Sequence, residues 1–161
     1  MATPLAFTGR SAHSAAAVRA AFANEQYWKD RIEQVGGVNA RIESLAIAGD
    51  QVRVELVQTI PAADLPKQIT AIKPDGLIIP RTEIWTGDAG TFTARVEGAP
   101  AEVRGTLTLT EDGTGSKYVV DGTIEVNIPL FGKKIEAAIQ ENLSDLLVRE
   151  AEFTDNWLSS H

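Results

Sequence analysis

The most constraining feature of this sequence is the apolar periodicity of its C-terminal segment, Pro129 to Trp157. Side chains of an α-helix advance by about 100° per residue, so residues three or four positions apart share one face. The apolar positions that fall in one such stripe are Ile135, Ile139, Leu143, Leu146, Phe153 and Trp157. The segment therefore predicts one amphipathic helix, about 40 Å long at roughly 1.5 Å per residue, with a solvated opposite face.

Two polar residues interrupt this stripe, Asn142 near its edge and Glu150 close to its centre. A carboxylate among apolar side chains is costly unless it is paired, solvated or protonated. One interpretation is that the last turns of the helix extend beyond the sheet, so that Glu150 is solvated or paired with an arginine. The other is that it lines a cavity and contacts a polar group of a ligand. For Asn142 there are likewise two interpretations: its amide forms a hydrogen bond with a nearby backbone group, or it contacts a ligand.

Upstream of this helix the sequence predicts mainly strands. A weak alternation from Pro4 to Ser14 predicts a first strand, and Ser14 and Asn24 are placed to cap two short helices. From Ala40 the apolar period changes to two, which predicts six further strands separated by glycine-rich turns. The last four predicted strands are Leu77 to Thr86, Thr91 to Glu97, Ala101 to Thr110 and Ser116 to Ile128.

This order of elements predicts the α+β class. We expect a curved antiparallel sheet of six to seven strands, two short helices, and the long C-terminal helix across its concave face. Only that helix is long enough to cover the apolar side of the sheet. With 161 residues, of which 43% are hydrophobic, we expect residues 1–161 to form a single domain. Sheet curvature then leaves room for an apolar pocket beneath the helix.

Composition excludes several classes of function. A net charge of −7 argues against nucleic acid as a partner, because phosphate contacts need Lys or Arg. No apolar run reaches the ~18 residues of a membrane span, and no secretory signal is visible, so we expect a cytoplasmic protein without integral membrane association. Without cysteine, and with only His13 and His161, we predict no metal site, no cofactor and no Ser-His-Asp centre. The oligomeric state stays open.

Several local sequences resemble a known superfamily. They are Ala21 to Trp28, Ala63 to Pro66, Glu83 to Trp85, Gly98 to Pro100, Val126 to Glu136 and Phe153 to Leu158. Together they resemble the START-like superfamily, also called SRPBCC or Bet v 1-like. Within it the chain is most similar to a family of bacterial proteins known only as a domain of unknown function. The resemblance implies the helix-grip fold with a cavity for an apolar ligand, and it supplies no catalytic residues.

Our leading hypothesis is binding or carriage of a hydrophobic small molecule, a lipid or a polyketide-like compound, between the sheet and the C-terminal helix. The candidate ligand-binding residues are Trp28, Trp85, Tyr118, Asn142, Leu146 and Glu150. The aromatic residues among them are also compatible with a plain core. One alternative is a cyclase, dehydratase or hydrolase that uses Glu150 as acid or base. Another is a co-chaperone-like interaction module acting through its surface.

Overall fold

Seven strands form one antiparallel sheet in the computed structural model, which describes residues 2–37 and 39–161. The strands are β1 (Ala2–Ser11), β2 (Arg41–Ala48), β3 (Gln51–Ile60), β4 (Leu77–Thr86), β5 (Ala89–Arg95), β6 (Ala101–Asp112) and β7 (Gly115–Val126). The helices are α1 (Ala15–Phe22), α2 (Glu25–Val35), the single turn α3 (Lys67–Thr70) and α4 (Gly132–Ser160). Across the sheet the order is β1-β7-β6-β5-β4-β3-β2, which confirms the predicted fold class.

The long helix α4 lies on the concave face, where it packs against β1, β7, α1 and α2. Every residue of the predicted apolar stripe is at least nine-tenths buried. The opposite face, represented by Lys133, Lys134, Glu141 and Glu152, is exposed. Burial of the stripe is the main force that holds α4 on the sheet, at about 25 cal/mol per Å² of apolar surface.

The predicted helix caps are present. Ser14 Oγ accepts a hydrogen bond from the Ala17 amide at 3.1 Å, and Asn24 Oδ1 accepts one from the Gln26 amide at 2.9 Å. The first strand ends at Ser11, three positions earlier than the sequence predicted. The physical reason is that capping of α1 requires Ser14 to leave the strand and turn towards the helix.

Charged side chains lie on the inner face of the central strands. In β4 the inward positions are Leu77, Ile79, Arg81, Glu83 and Trp85, all buried. In β3 the inward position opposite Ile79 is Gln58, which is only 4% exposed. The sheet therefore brings a band of polar groups to its concave face, directly beneath α4.

The first turns of α4 are fixed by a second buried carboxylate, Glu136, which is 1% exposed. Its two oxygens accept hydrogen bonds from Thr3 Oγ1 at 2.6 Å and from the Val126 amide at 2.9 Å. Burial alone would raise the pKa of Glu136, but these two hydrogen bonds outweigh it, and the pKa is lowered. Glu136 thus attaches the start of α4 to β1 and β7.

Candidate functional site

The candidate site is a buried cluster of four charged side chains contributed by three elements. Arg31 comes from α2, Arg81 and Glu83 come from β4, and Glu150 comes from α4. Each is at most 5% exposed. The cluster carries two positive and two negative charges, so its formal charge is zero. Buried charges are tolerated when they are paired and hydrogen-bonded in this way.

Glu150 is held by both guanidinium groups. Arg31 Nη2 lies 2.7 Å from Glu150 Oε1, and Arg81 Nη1 lies 3.0 Å from Glu150 Oε2. Gln58 Nε2 donates a further hydrogen bond to Glu150 Oε2 at 3.3 Å. Two arginines and an amide on one carboxylate connect α4 to α2, β3 and β4.

Glu83 completes the cluster from the sheet side. Arg81 Nη2 donates to Glu83 Oε1 at 2.8 Å, and Trp85 Nε1 donates to Glu83 Oε2 at 3.3 Å. Arg31 Nη1 lies 3.8 Å from Glu83 Oε2, so each arginine contacts both carboxylates. The two carboxylates have all four oxygens engaged.

Aromatic side chains enclose the cluster. The Arg31 guanidinium lies 4.8 Å from the centroid of the Trp28 ring, a cation–π contact in a desolvated setting. Thr154 Oγ1 donates to the Glu150 carbonyl at 2.8 Å, so the Tyr27 hydroxyl donates to Thr154 Oγ1 at 2.5 Å. These contacts exclude water and fix the end of α4 against α2.

The electrostatic setting of Glu150 determines its protonation state. Burial alone raises the pKa of this carboxyl, but Arg31 and Arg81 outweigh burial and bring the pKa down to about 2. The group is therefore a permanent carboxylate near neutral pH. Burial in the same region raises the pKa of the Tyr118 hydroxyl well above its usual value, so that hydroxyl stays protonated.

The cluster has two unsatisfied donors, whereas each of its carboxylate oxygens accepts at least one hydrogen bond. Among the described residues, the buried side-chain atoms without a hydrogen-bond partner are Arg31 Nε and Arg81 Nε. An unsatisfied buried N–H costs free energy comparable to a lost hydrogen bond. Both arginines are therefore prepared to donate one more hydrogen bond to an oxygen atom.

Two small cavities adjoin these arginines. The first, which we call the tyrosine cavity, measures about 40 Å³ and is lined by Phe22, Tyr27, Arg31, Leu109, Tyr118 and Glu150 among others. Arg10, Ser11 and Ala151 also line it, and Arg10 is solvent-exposed, so the cavity lies near the surface between β1, α1 and α4.

The second, which we call the leucine cavity, measures about 20 Å³ and is lined by Arg81, Leu5, Phe92, Leu107, Leu143 and Leu147 among others. The two cavities occupy neighbouring positions of one strand pair. Leu109 pairs with Tyr118 beside the first cavity, and Leu107 pairs with Val120 beside the second. The Arg-Glu cluster lies next to both.

The six residues predicted from the sequence fall into four groups. Tyr118 and Glu150 line the tyrosine cavity. Trp28 and Trp85 are buried one layer behind it, each in contact with the Phe22 ring, at 5.8 and 5.0 Å between centroids. Leu146 is buried in the apolar stripe of α4 but is not among the residues that line either cavity.

Asn142, the sixth predicted residue, lies elsewhere. Its amide donates to the Ala138 carbonyl at 2.9 Å, one of the two alternatives that the sequence left open. Its side chain borders a wide open groove between the outer face of α4 and Leu65 and Pro66 of the β3–β4 connection. Asn142 lines neither described cavity.

The sequence did not predict Arg31, Arg81, Glu83 or Gln58 as site residues. A signal for them was present. Arg81 and Glu83 occupy the two inward positions of β4 between Ile79 and Trp85. In β3, Gln58 occupies the inward position after Leu56. Polar or charged residues at the inward-facing positions of adjacent strands, where apolar residues are usual, predict an internal polar cluster.

Two further features, a metal-binding cluster and a membrane-spanning helix, concern the part of the chain that the structure describes. Within it there is no group of three or more His, Cys, Asp or Glu side chains arranged to hold a metal ion. Within the same residues, no helix is both long and apolar enough to cross a membrane.

Comparison with known sequences gives one family and several relatives. A family model described as "Protein of unknown function (DUF2505)" matches residues 6–158. An uncharacterized protein of Mycobacterium tuberculosis is 31% identical over 156 residues, an alignment that covers 89% of this chain and 90% of that protein.

Solved structures share the fold at low sequence identity. A START superfamily protein from Mycobacterium smegmatis has a TM-score of 0.55 and 12% identity, covering 98% of this chain and 97% of the other. The di-domain ARO/CYC protein StfQ of the steffimycin biosynthetic pathway has a TM-score of 0.65 and 9% identity, covering 99% of this chain and 52% of that one. At such identities the likeness is one of fold alone.

Proposed function

This chain belongs to the family described as protein of unknown function (DUF2505) and has the START-like fold that its sequence resembles, and from that premise we propose that it binds a hydrophobic small molecule between the sheet and α4. The proposed ligand is a lipid or a polyketide-like compound. Its apolar body would lie along β6 and β7, where the tyrosine and leucine cavities are found.

The observation that carries this proposal is the pairing of two cavities with two unsatisfied guanidinium donors. Arg31 lines the tyrosine cavity and Arg81 lines the leucine cavity, and each keeps one Nε–H without a partner. A site with mostly apolar walls and a few fixed polar groups is the usual form of a small-molecule pocket. Tyr118 and Glu150 belong to the proposed site, with Trp28, Trp85 and Leu146 as its supporting layer, whereas Asn142 is left out.

Binding requires the seam to widen. At about 40 Å³ the tyrosine cavity has room for water but is far smaller than the roughly 300–1,000 Å³ of a typical small-molecule pocket. A ligand must therefore displace α1 or α4 from the sheet. The region near Arg10 and Ala151 is where we expect this opening, because α1 and α4 approach each other there over a half-buried surface.

The enzyme alternative has weaker support. A general acid or base works best when its pKa lies near the operating pH. Burial raises the pKa of Glu150, but the two arginines bring it to about 2, so this carboxyl holds no proton to donate and is a weak base. The ARO/CYC protein StfQ shares the fold, yet the described site of this chain supports binding better than proton transfer.

The proposal is tested by a pair of matched substitutions on α4. Ala151 lines the tyrosine cavity, whereas Ala137 is exposed about four turns earlier in the same helix, away from both cavities. Ala151→Leu places three extra carbon atoms in the cavity, and Ala137→Leu places them in solvent. We expect Ala151→Leu to weaken binding of the neutral apolar probe N-phenyl-1-naphthylamine about 10-fold or more, and Ala137→Leu to leave it unchanged.

Binding is measured by probe fluorescence, and thermal unfolding establishes that both variants are folded, since overpacking costs about 1–3 kcal/mol. Organic extraction of the purified protein, followed by mass spectrometry, identifies any compound that co-purifies. Equal probe affinity in the two variants, or no probe binding by the unsubstituted protein together with an empty extract, would contradict the proposal.

A further inference from the structure

We propose that the buried polar group of the ligand is a neutral hydrogen-bond acceptor, such as the carbonyl oxygen of a ketone or quinone, rather than a carboxylate. This inference rests on the proposed function and names the chemical class that the site would select. It follows from the charge and hydrogen-bond balance of the cluster formed by Arg31, Arg81, Glu83 and Glu150.

The charge balance argues against an ionic ligand. Arg31 and Arg81 are each within 4 Å of both Glu83 and Glu150, so the two positive charges are already matched by two negative ones. A ligand carboxylate would add a third negative charge to a site that is almost fully buried. Burying a charge without a counter-ion is strongly unfavourable, whereas burying a carbonyl that accepts a hydrogen bond is not.

The hydrogen-bond balance specifies the direction of the missing contact. The oxygens of Glu83 and Glu150 accept from Arg31, Arg81, Gln58 and Trp85. The unsatisfied atoms are donors, Arg31 Nε and Arg81 Nε. A ligand amine or hydroxyl hydrogen would meet carboxylate oxygens that each already accept a hydrogen bond, while a ligand oxygen would satisfy a buried N–H that has no partner. Hydrogen bonds from a charged donor are the stronger kind.

The positions of the two arginines set the geometry of the ligand. Arg31 lines the tyrosine cavity, beside the Leu109–Tyr118 pair, and Arg81 lines the leucine cavity, beside the Leu107–Val120 pair. Between them the walls are the rings of Phe22, Tyr118 and Phe92 and the leucines of β6. A flat ring system would pack against these apolar walls, and one or two carbonyl oxygens along its edge would accept hydrogen bonds from the arginine donors.

The test uses three naphthalenes of nearly equal size that differ in one substituent. 2-Acetylnaphthalene carries a neutral carbonyl, 2-naphthoate carries a carboxylate, and 2-ethylnaphthalene carries no acceptor. Their affinities for the unsubstituted protein are measured by isothermal titration calorimetry at pH 7. We expect 2-acetylnaphthalene to bind about 10-fold more tightly than either of the others, which corresponds to about 1.4 kcal/mol.

Each outcome has a distinct meaning. Tightest binding of 2-naphthoate overturns the inference, because the cluster then accepts an anion. Equal binding of 2-acetylnaphthalene and 2-ethylnaphthalene also overturns it, because the arginine donors then contribute nothing, although the proposed apolar site survives. Failure of all three compounds to bind, with an empty organic extract, overturns the proposed function and this inference together.

A charge change supplies an independent test. Glu83→Gln keeps the shape of the side chain and leaves the cluster with one net positive charge, so we expect the preference to move towards 2-naphthoate by about 10-fold or more. Glu141→Gln, on the exposed face of α4, is the matched control and should leave the order of the three affinities unchanged. An unaltered preference in Glu83→Gln, in a variant shown to be folded by its cooperative thermal transition, contradicts the charge argument.

Discussion

The two buried carboxylates of α4 lie in opposite halves of the helix and are satisfied in different ways. Glu136, near its start, accepts hydrogen bonds from a hydroxyl and a backbone amide, both neutral. Glu150, nearer its end, is held by two guanidinium groups and an amide. Both have a lowered pKa, although burial opposes the shift in each.

The difference shows what each half of α4 contributes. The two hydrogen bonds of Glu136 connect α4 to β1 and β7, and neither cavity includes this residue. Around Glu150 the charges balance, yet two donors stay unsatisfied and two cavities adjoin them. A carboxylate with neutral partners fixes the position of a helix, whereas a balanced ionic cluster with spare donors can also receive a ligand.

The largest expected effect comes from removing one of the two guanidinium groups that contact both carboxylates. Arg81→Met leaves Glu83 and Glu150 with one cation instead of two, and breaking a buried ion pair costs about 3–5 kcal/mol. Urea unfolding followed by tryptophan fluorescence measures the loss. Arg104→Met, which removes an exposed partner of Glu102, is the control and should cost at most about 1 kcal/mol. Similar losses of unfolding free energy in the two variants would show that the buried cluster stabilises the protein no more than an exposed ion pair does.

The next effect is a dependence of stability on pH that belongs to Glu150. Its folded pKa of about 2 lies below the unfolded value of 4.5. The stabilisation is therefore complete above about pH 4.5 and is lost as the pH falls towards 2, at about 1.4 kcal/mol per pH unit. We expect the difference in unfolding free energy between the unsubstituted protein and Glu150→Gln to be roughly 2 kcal/mol smaller at pH 3 than at pH 7.

The groups that face Glu150 are Arg31 of α2, Arg81 and Glu83 of β4, and Gln58 of β3, and Tyr27 influences it from α2. Urea titrations of both proteins at pH 7, 5, 4 and 3 give the difference directly. A difference that stays constant down to pH 3 would show that the two arginines do not depress the pKa of this carboxyl.

A smaller effect is expected at the other end of the helix. Glu136→Ala leaves the buried Val126 amide without its acceptor, which costs about 1–3 kcal/mol. Probe affinity should be unchanged, because Glu136 lies away from both cavities. Glu141→Ala, one exposed turn further along α4, should change stability by no more than about 0.5 kcal/mol. Loss of probe binding in Glu136→Ala would mean that the start of α4 also belongs to the site.

The smallest expected effect concerns Asn142. Its amide only bonds the Ala138 carbonyl of the preceding turn, and alanine is the better helix former. Asn142→Ala should raise the unfolding free energy by a few tenths of a kcal/mol and leave probe affinity unchanged. A measured loss of affinity would return Asn142 to the binding site.

The fold was predictable because its strongest signals are local. The apolar stripe of α4 and the alternation of Tyr118, Val120, Ile124 and Val126 in β7 each lie within one element. Ser14 and Asn24 cap their helices through contacts with residues two or three positions away. Such patterns need no knowledge of the rest of the chain, and the order of the elements then predicted how they assemble, as the family resemblance also implied.

The site was predictable only in part, because it depends on partners that are distant in sequence. Glu150 was found as a lone charge in an apolar stripe, but its partners Arg31 and Arg81 come from other elements. Arg81 was detectable through its inward parity between Ile79 and Trp85. The burial of Glu136 depends on Thr3, 133 positions away, and nothing near Glu136 in the sequence indicates it.

The pairing of β1 with β7 has a consequence for the order in which the protein folds. Ala2 lies opposite Glu125, so β1 can pair with its neighbouring strand only once β7 is available. During translation β1 can close the sheet only after β7 has left the ribosome, and contacts of such long sequence separation slow folding. We therefore expect β1 to join the sheet late in folding, after β7 has formed.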